Sequence, residues 1–192
     1  GCGKTTLVEA IAYQTGITAR MGKVTDGNTI SDYDKEEQKR QFSISTSVVP
    51  VEFEDIKINF LDTPGYFDFV GEVEEACHAA GAAVIVINGK SGVEVGTLKA
   101  WELCEKYKLP RLFFVTGMDD DQASYRKIVL ELNDRFGRKV APFHVPIREN
   151  EKFVGFVNVV KMKGRRFIND TSEYEECDIP DYMDKHLNIS RD

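Results

Sequence analysis

A chain of 192 residues, 42% hydrophobic and 30% charged, is long enough for one well-buried α/β domain with a small appendage. Its net charge of −7 excludes a generic polyanion binder built on a basic stripe, while leaving contact through a local patch open. Cys2, Cys77, Cys104 and Cys177 form no C-x-x-C pair, which fits a reducing compartment better than a disulfide scaffold or zinc site; the longest apolar run, around 82–87, is too short to span a membrane.

Residues 5–15 read as a helix, because Leu7, Ile11 and Ala12 recur at helical spacing and Gly16 stops them. Residues 25–43 are acidic, basic and polar by turns with little periodicity, and a mobile loop is expected there. Two β-rich runs, 45–53 and 56–61, joined by Glu54-Asp55, predict a hairpin. A helix over 70–80, a buried strand over 82–88, a helix over 94–106, a strand over 111–116 and a helix over 122–136 follow. From 57 to 136 strands alternate with helices, the sign of crossover connections and a mostly parallel sheet. After Val140 the texture changes. The short runs "APFHVPI", "KFVGFVNVV" and "RRFIND" predict an antiparallel addition, with a boundary near Ile147.

Three stretches carry chemistry. "GCGKTT", Gly1 to Thr6, opens the first helix and matches the last part of the phosphate loop G-x-x-x-x-G-K-[ST]. Gly3 allows close backbone approach, amides and the helix start cradle phosphate oxygens, Lys4 reaches the β/γ-phosphates and Thr5 ligates Mg²⁺. The competing reading is a flexible Gly-rich terminus running into a capped helix. "DTPG", Asp62-Thr63-Pro64-Gly65, ends a strand as a D-x-x-G turn: Asp62 would act on the Mg²⁺ shell through water, and the Gly65 N–H would meet the γ-phosphate. Read alone, it is equally an ordinary β-turn with Asp first and Pro second. "TGMDDD", from Thr116 to Asp121, follows a strand where a purine NTPase reads its base, and the Asp119 carboxylate can accept the paired N–H donors of guanine. The alternative is an acidic loop with Asp120 or Asp121 capping the next helix.

In this order the three pieces resemble the G domain of translational GTPases, elongation factor G most closely. The resemblance extends through "GKTTLVEAIAYQTG", "GKVTDGNTISDYDKEEQKRQFSIS" as the switch I approach, "DTPGYFDFVGEV" as switch II, and "AAVIVINGKSGVEVGTLKAWELCEKYKLPRLFFVTGMD". "PFHVPIRENEKFVGFVNVVKMK" and "YEECDIPDY" resemble the start of a subdomain inserted in that G domain. It implies a P-loop NTPase fold, α/β with a doubly wound, mostly parallel sheet. Residues 1–147 would be a GTP-binding domain lacking its first part, and 148–192 the opening of the insertion, also cut short. The cofactors implied are GTP/GDP and Mg²⁺, and the implied partner is the ribosome in the cytoplasm, with no membrane and no free nucleic acid partner.

Carried onto this chain, the family's nucleotide contacts fall on Gly1, Cys2, Gly3, Lys4, Thr5, Thr6, Ser43, Asp62, Thr63, Pro64, Gly65, Thr116, Gly117, Met118 and Asp119. Thr5, Ser43 and Asp62 are the implied metal residues, and Lys4, Gly65 and Tyr66 the implied catalytic set. There are departures. The switch I motif R-G-I-T-I is Arg40-Gln41-Phe42-Ser43-Ile44, so a Ser hydroxyl replaces the metal-binding Thr; alternatively this stretch merely leads into a strand. N-K-M-D has become Thr116-Gly117-Met118-Asp119, with the Lys stem gone and Thr in place of the bracing Asn. Gly1 stands where the family has Asp, and Tyr66 where it has the His that orients water. Together these changes resemble a paralogous second branch of elongation-factor-G-like proteins. A phenol is a poor general base at neutral pH, so Tyr66 is expected to hydrogen-bond the water or to fill space beside it.

Other reactive residues read as structural. His78, His144 and His186 have no ligand-spaced neighbours, Trp101 and Tyr107 are expected to pack, and the acidic run 32–37 is expected as a solvated face. The Cys2 thiol, near a helix start, is not required for any of this. Two rival functions remain: a nucleotide-dependent binding module without useful hydrolysis, and a P-loop kinase or ATPase.

Overall fold

The computed structural model describes residues 1–137, 140–150, 152–168, 173–180 and 183. They form two compact units: residues 1–87 with 94–116, and residues 88–93 with 117–192.

The first unit begins with α1, Lys4–Gln14. Its inward face is Val8 and Ala12, with Ile11 partly buried, so the helix is turned slightly away from the expected Leu7 stripe. These side chains pack on Val49 and Val51, which alternate inward along β1, Ser47–Phe53. Each buried valine contributes about 1.5–3 kcal/mol through removal of apolar surface from water. β1 pairs antiparallel with β2, Ile56–Asp62, in the register Phe53↔Ile56 to Ser47↔Asp62. Glu54 and Asp55, at φ 48° and 63°, make the tight turn whose twist suits a hairpin. The predicted hairpin is present.

Residues 25–43 are not the unstructured loop expected. A 3₁₀ turn covers Val24–Asp26, and α2 covers Lys35–Arg40. Asp34 caps α2, accepting from the Glu36 N–H at 2.7 Å, and the Glu37 side chain reaches back to the Asp34 N–H at 3.2 Å. Nor is 32–37 wholly a solvated face: Asp32 is 3% and Glu37 2% exposed.

After a 3₁₀ turn at Phe67–Phe69, α3 spans Val70–Ala79, β3 Ala83–Asn88, α4 Val95–Lys106 and β4 Arg111–Thr116. β3 and β4 neighbour each other in a parallel sheet, as the helix between them requires. Ile85, Cys104 and Leu109 form their core, with Trp101 stacked on Phe113 and His78 edge-on to Tyr107. His78, Trp101 and Tyr107 are therefore packing residues.

In the second unit α5 spans Tyr125–Phe136, with Ile128 and Leu132 buried. Its cap is Ser124, accepting from the Lys127 N–H, rather than Asp120 or Asp121, and it starts later than residue 122. Strands β5 (His144–Glu149), β6 (Lys152–Asn158), β7 (Lys163–Phe167) and β8 (Tyr174–Cys177) then make the antiparallel sheet β5-β6-β7-β8. Val145, Ile147, Val157 and Met183 are its core. His144 lies exposed between Phe143 and Phe156. His186, Asn169 and Asp170 of "RRFIND", and the last two residues of "YEECDIPDY" fall outside the described residues.

Candidate functional site: an open helix start, three hydroxyls and two carboxylates

Among the helices, α1 is distinguished by how it begins. Gly3 sits at its cap at φ 88°, in the left-handed region, with no side-chain capping bond and no acidic residue in the first turn. By contrast α2, α4 and α5 are each capped, by Asp34, by a Glu94–Thr97 box and by Ser124, and α3, which also lacks a side-chain cap, carries Glu72 in its first turn. The first amides of α1 are thus left for an anion, where the helix dipole favours one. Thr116, ending β4, donates its hydroxyl to the Cys2 carbonyl at 2.8 Å, and its methyl would lie 3.4 Å from a Cβ at Gly3. The threonine in the expected bracing position does brace this loop.

Lys4 and Gly65 meet. A Cβ added at Gly65 would fall 2.9 Å from the Lys4 ammonium, so glycine leaves the lysine its place over the turn. Gly65 and Tyr66 are exposed, while Pro64 is buried and Thr63 half-buried. Thr6 and Gly1 are exposed at the loop surface.

Beneath this lies a compact polar cluster. The Thr5 and Ser43 hydroxyl oxygens are 3.3 Å apart, and the Ser43 hydroxyl donates to Asp32 Oδ1 at 2.6 Å. The Ser31 hydroxyl donates to Asp62 Oδ2 at 2.6 Å. Asp62 is 4% exposed, and burial pushes its carboxyl above the ordinary range. The Ser31 and Thr5 hydroxyls pull it back, the Asp32 charge adds to the rise and the Lys4 ammonium opposes it. Asp32 Oδ2 is buried without a hydrogen-bond partner among the described residues. Two crowded carboxylates, one oxygen of them unsatisfied, form a site that a hard divalent cation would relieve.

Asp32, Ser31 and Glu37 are the residues that sequence reasoning missed. The signal available was local: Asp34-x-x-Glu37 has the spacing of a capping box and announces α2. Nothing local announced the burial of Asp32.

Tyr66 stands apart from this cluster. Its ring packs on Phe42, with centroids 4.5 Å apart, and Phe42 also lies 6.5 Å from Phe69. The tyrosine is 54% exposed.

The expected base-reading residues belong to the second unit, Thr116 excepted. Gly117 is at φ 63°, and its carbonyl accepts from the Asp120 N–H at 3.2 Å. Asp120 turns its side chain to the Gln122 N–H at 2.8 Å, leaving Asp119 exposed. Arg148, which sequence reading passed over, donates to the carbonyls of Met118 and Ala123 at 3.1 and 3.3 Å and so holds both ends of this loop.

An apolar groove of about 370 Å³, lined by Ile11, Gln14, Val51, Phe53, Ile58 and Phe60 among others, contains none of these residues. Among the described residues no cluster of three His, Cys, Asp or Glu side chains forms, and no helix is long and apolar enough to cross a membrane.

The α/β fold, the uncapped Gly-Lys-Thr helix start and the glycine turn beneath the lysine define a phosphate-loop G domain. Residues 1–186 match the family described as the elongation factor Tu GTP binding domain, and the chain belongs to that family. It is 36% identical over 181 residues to elongation factor G of Chlamydia caviae, an alignment taking in 93% of this chain and 26% of that protein. It is also similar, at a TM-score of 0.92 and 36% identity, to a crystal structure from Thermus thermophilus, covering 100% of this chain and 28% of that one. The chain therefore spans about a quarter of the length of the relatives it matches.

Proposed function

We propose that the chain is the GTP-binding part of an elongation-factor-G-like translation factor that binds Mg²⁺·GTP and hydrolyses it, with the ribosome as cytoplasmic partner. The observation that carries this is the Lys4 ammonium lying over Gly65 beside an uncapped helix start. Amides of Gly1 to Thr6 and the Lys4 ammonium bind the phosphates. The Gly65 N–H meets the terminal phosphate, and Asp119 selects the base together with Gly117 and Met118.

Thr5, Ser43 and Asp62 would hold Mg²⁺, beside an Asp32 whose Oδ1 accepts from the Ser43 hydroxyl and whose Oδ2 is without a partner among the described residues. When bound, the ion would draw charge from the phosphate oxygens. The chain's own part is positioning and electrostatics, which dominate phosphoryl transfer. The Ser43 hydroxyl and the Gly65 turn are engaged by the triphosphate and released from the product, a timer for a partner. In this reading residues 148–192 open an inserted subdomain.

A second reading, a nucleotide-dependent module with impaired hydrolysis, draws support from Tyr66, whose ring rests on Phe42. Calorimetry of the full-length protein with GTP, GDP and ATP, with and without Mg²⁺, tests the binding; no Mg²⁺-dependent guanine uptake at millimolar concentration rejects both readings. Single-turnover hydrolysis with and without ribosomes separates them.

A further inference from the structure

Glu37 is a fully buried carboxylate without a part in the proposed chemistry, and its hydrogen bonds among the described residues all go to backbone. Oε2 accepts from the Asp34 N–H at 3.2 Å, at the start of α2. Oε1 accepts from the Ile44 N–H at 2.9 Å and the Ser45 N–H at 3.1 Å, beyond its end. One side chain thus ties the entry and exit of a twelve-residue segment, 34–45, into a closed loop. The two N–H groups it holds directly follow Ser43, whose hydroxyl faces Thr5 and Asp32.

We propose that Glu37 is a positioning residue that orders the Ser43 backbone before nucleotide arrives, setting how much Mg²⁺ the GTP-bound state requires. This rests on the proposed function for its ligand, though the ordering itself does not. Fixing a backbone residue costs about 1–2 kcal/mol in conformational entropy. Without Glu37 several residues must be ordered when GTP binds rather than beforehand. Gln cannot replace it: an amide offers one acceptor oxygen, and its NH₂ would face an N–H donor.

The test uses E37Q and E37A in the full-length protein. Trypsin is applied without nucleotide, because Lys35, Lys39 and Arg40 are exposed on α2 and cleavage there reports the order of the segment. Cutting after Arg40 is expected to accelerate by about tenfold in E37Q, the loss of one or two charge-assisted bonds. The Mg²⁺ needed for half-maximal GTP binding should rise by about tenfold, with GDP affinity within about twofold of wild type. Ser43→Ala, which leaves the three Glu37 bonds in place, should raise the Mg²⁺ requirement without accelerating cleavage.

Wild-type cleavage and wild-type Mg²⁺ demand in E37Q overturn the proposal. So does loss of GDP binding together with GTP binding, which would make Glu37 a general fold residue. A wild-type protein that takes up no guanine nucleotide sinks the functional reading instead; accelerated cleavage of E37Q in that protein still upholds the ordering role.

Discussion

The two regions expected to hold the nucleotide are built by opposite means. Around Thr5, Ser43 and Asp62, buried carboxylates are tied by short hydrogen bonds to hydroxyls from distant parts of the chain. The Gly117–Asp121 loop instead presents an exposed Asp119, while Arg148 donates to the backbone carbonyls of Met118 and Ala123. The first region stores electrostatic crowding that, in the proposed function, a metal and phosphate would discharge; the second keeps a solvated acceptor on a fixed loop. Substitutions in the first should therefore change metal and phosphate dependence, and those in the second the choice of base alone.

The largest effects should come from the Lys4–Gly65 contact. Lys4→Ala removes the ammonium proposed to bind the phosphates and should weaken GTP binding about 100-fold, read by calorimetry. Gly65→Ala pushes the Lys4 ammonium from its position. Single-turnover hydrolysis should then fall by about 10²-fold while GDP binding is nearly kept, because one positioned donor has that weight. If GDP binding falls equally, the turn supports the whole loop rather than the terminal phosphate.

Asp62 comes next, through pH. Its carboxyl titrates above the unfolded value, so the folded state binds the proton more tightly. Nucleotide-free stability is therefore greatest below the ordinary carboxylate range and falls as pH rises through the raised value. Asp62→Asn, which keeps an acceptor for Ser31, should abolish that fall and melt higher than wild type at about pH 7. It should at the same time lose Mg²⁺-dependent GTP uptake. A variant that melts lower at neutral pH would show that the Asp62 charge is compensated in the free protein.

Asp119→Ala should cost about 1.5–3 kcal/mol of GTP binding and none of ATP binding, with the Mg²⁺ dependence unchanged. Competition between the two nucleotides reads this directly, and an altered Mg²⁺ requirement would erase the contrast between the regions. The smallest effect belongs to Tyr66→Phe. Its ring packing on Phe42 is retained, so ribosome-stimulated hydrolysis should stay within about twofold of wild type. A tenfold loss would give the hydroxyl a catalytic role.

Elements with a strong repeating pattern were legible. The hairpin could be read from two β-rich runs either side of Glu54-Asp55, and α1 from its spacing and the Gly16 stop. α2 has no such pattern, because a run of Lys, Glu, Gln and Arg has no apolar stripe, and only the Asp34-x-x-Glu37 spacing marks its start. Its sole buried member is the charged Glu37, held by backbone N–H groups rather than by packing. The start of α5 was misplaced for a related reason. Asp120 and Asp121 offered themselves as caps, but Asp120 is used within its own turn and Ser124 is the residue that faces the helix amides.

The order of Gly3-Lys4-Thr5, Asp62-x-x-Gly65 and Asp119 along the chain determined the family and the residue types proposed for phosphate, metal and base, since those chemistries depend on side-chain identity and local backbone freedom. That Asp32 and Glu37 would be buried, that Ser43 would lie against Thr5, and that Lys4 would cover Gly65 was decided by tertiary structure alone. The last two contacts join residues 38 and 61 positions apart. Whether a charged side chain is desolvated depends on what the rest of the chain packs around it, which no local spacing encodes.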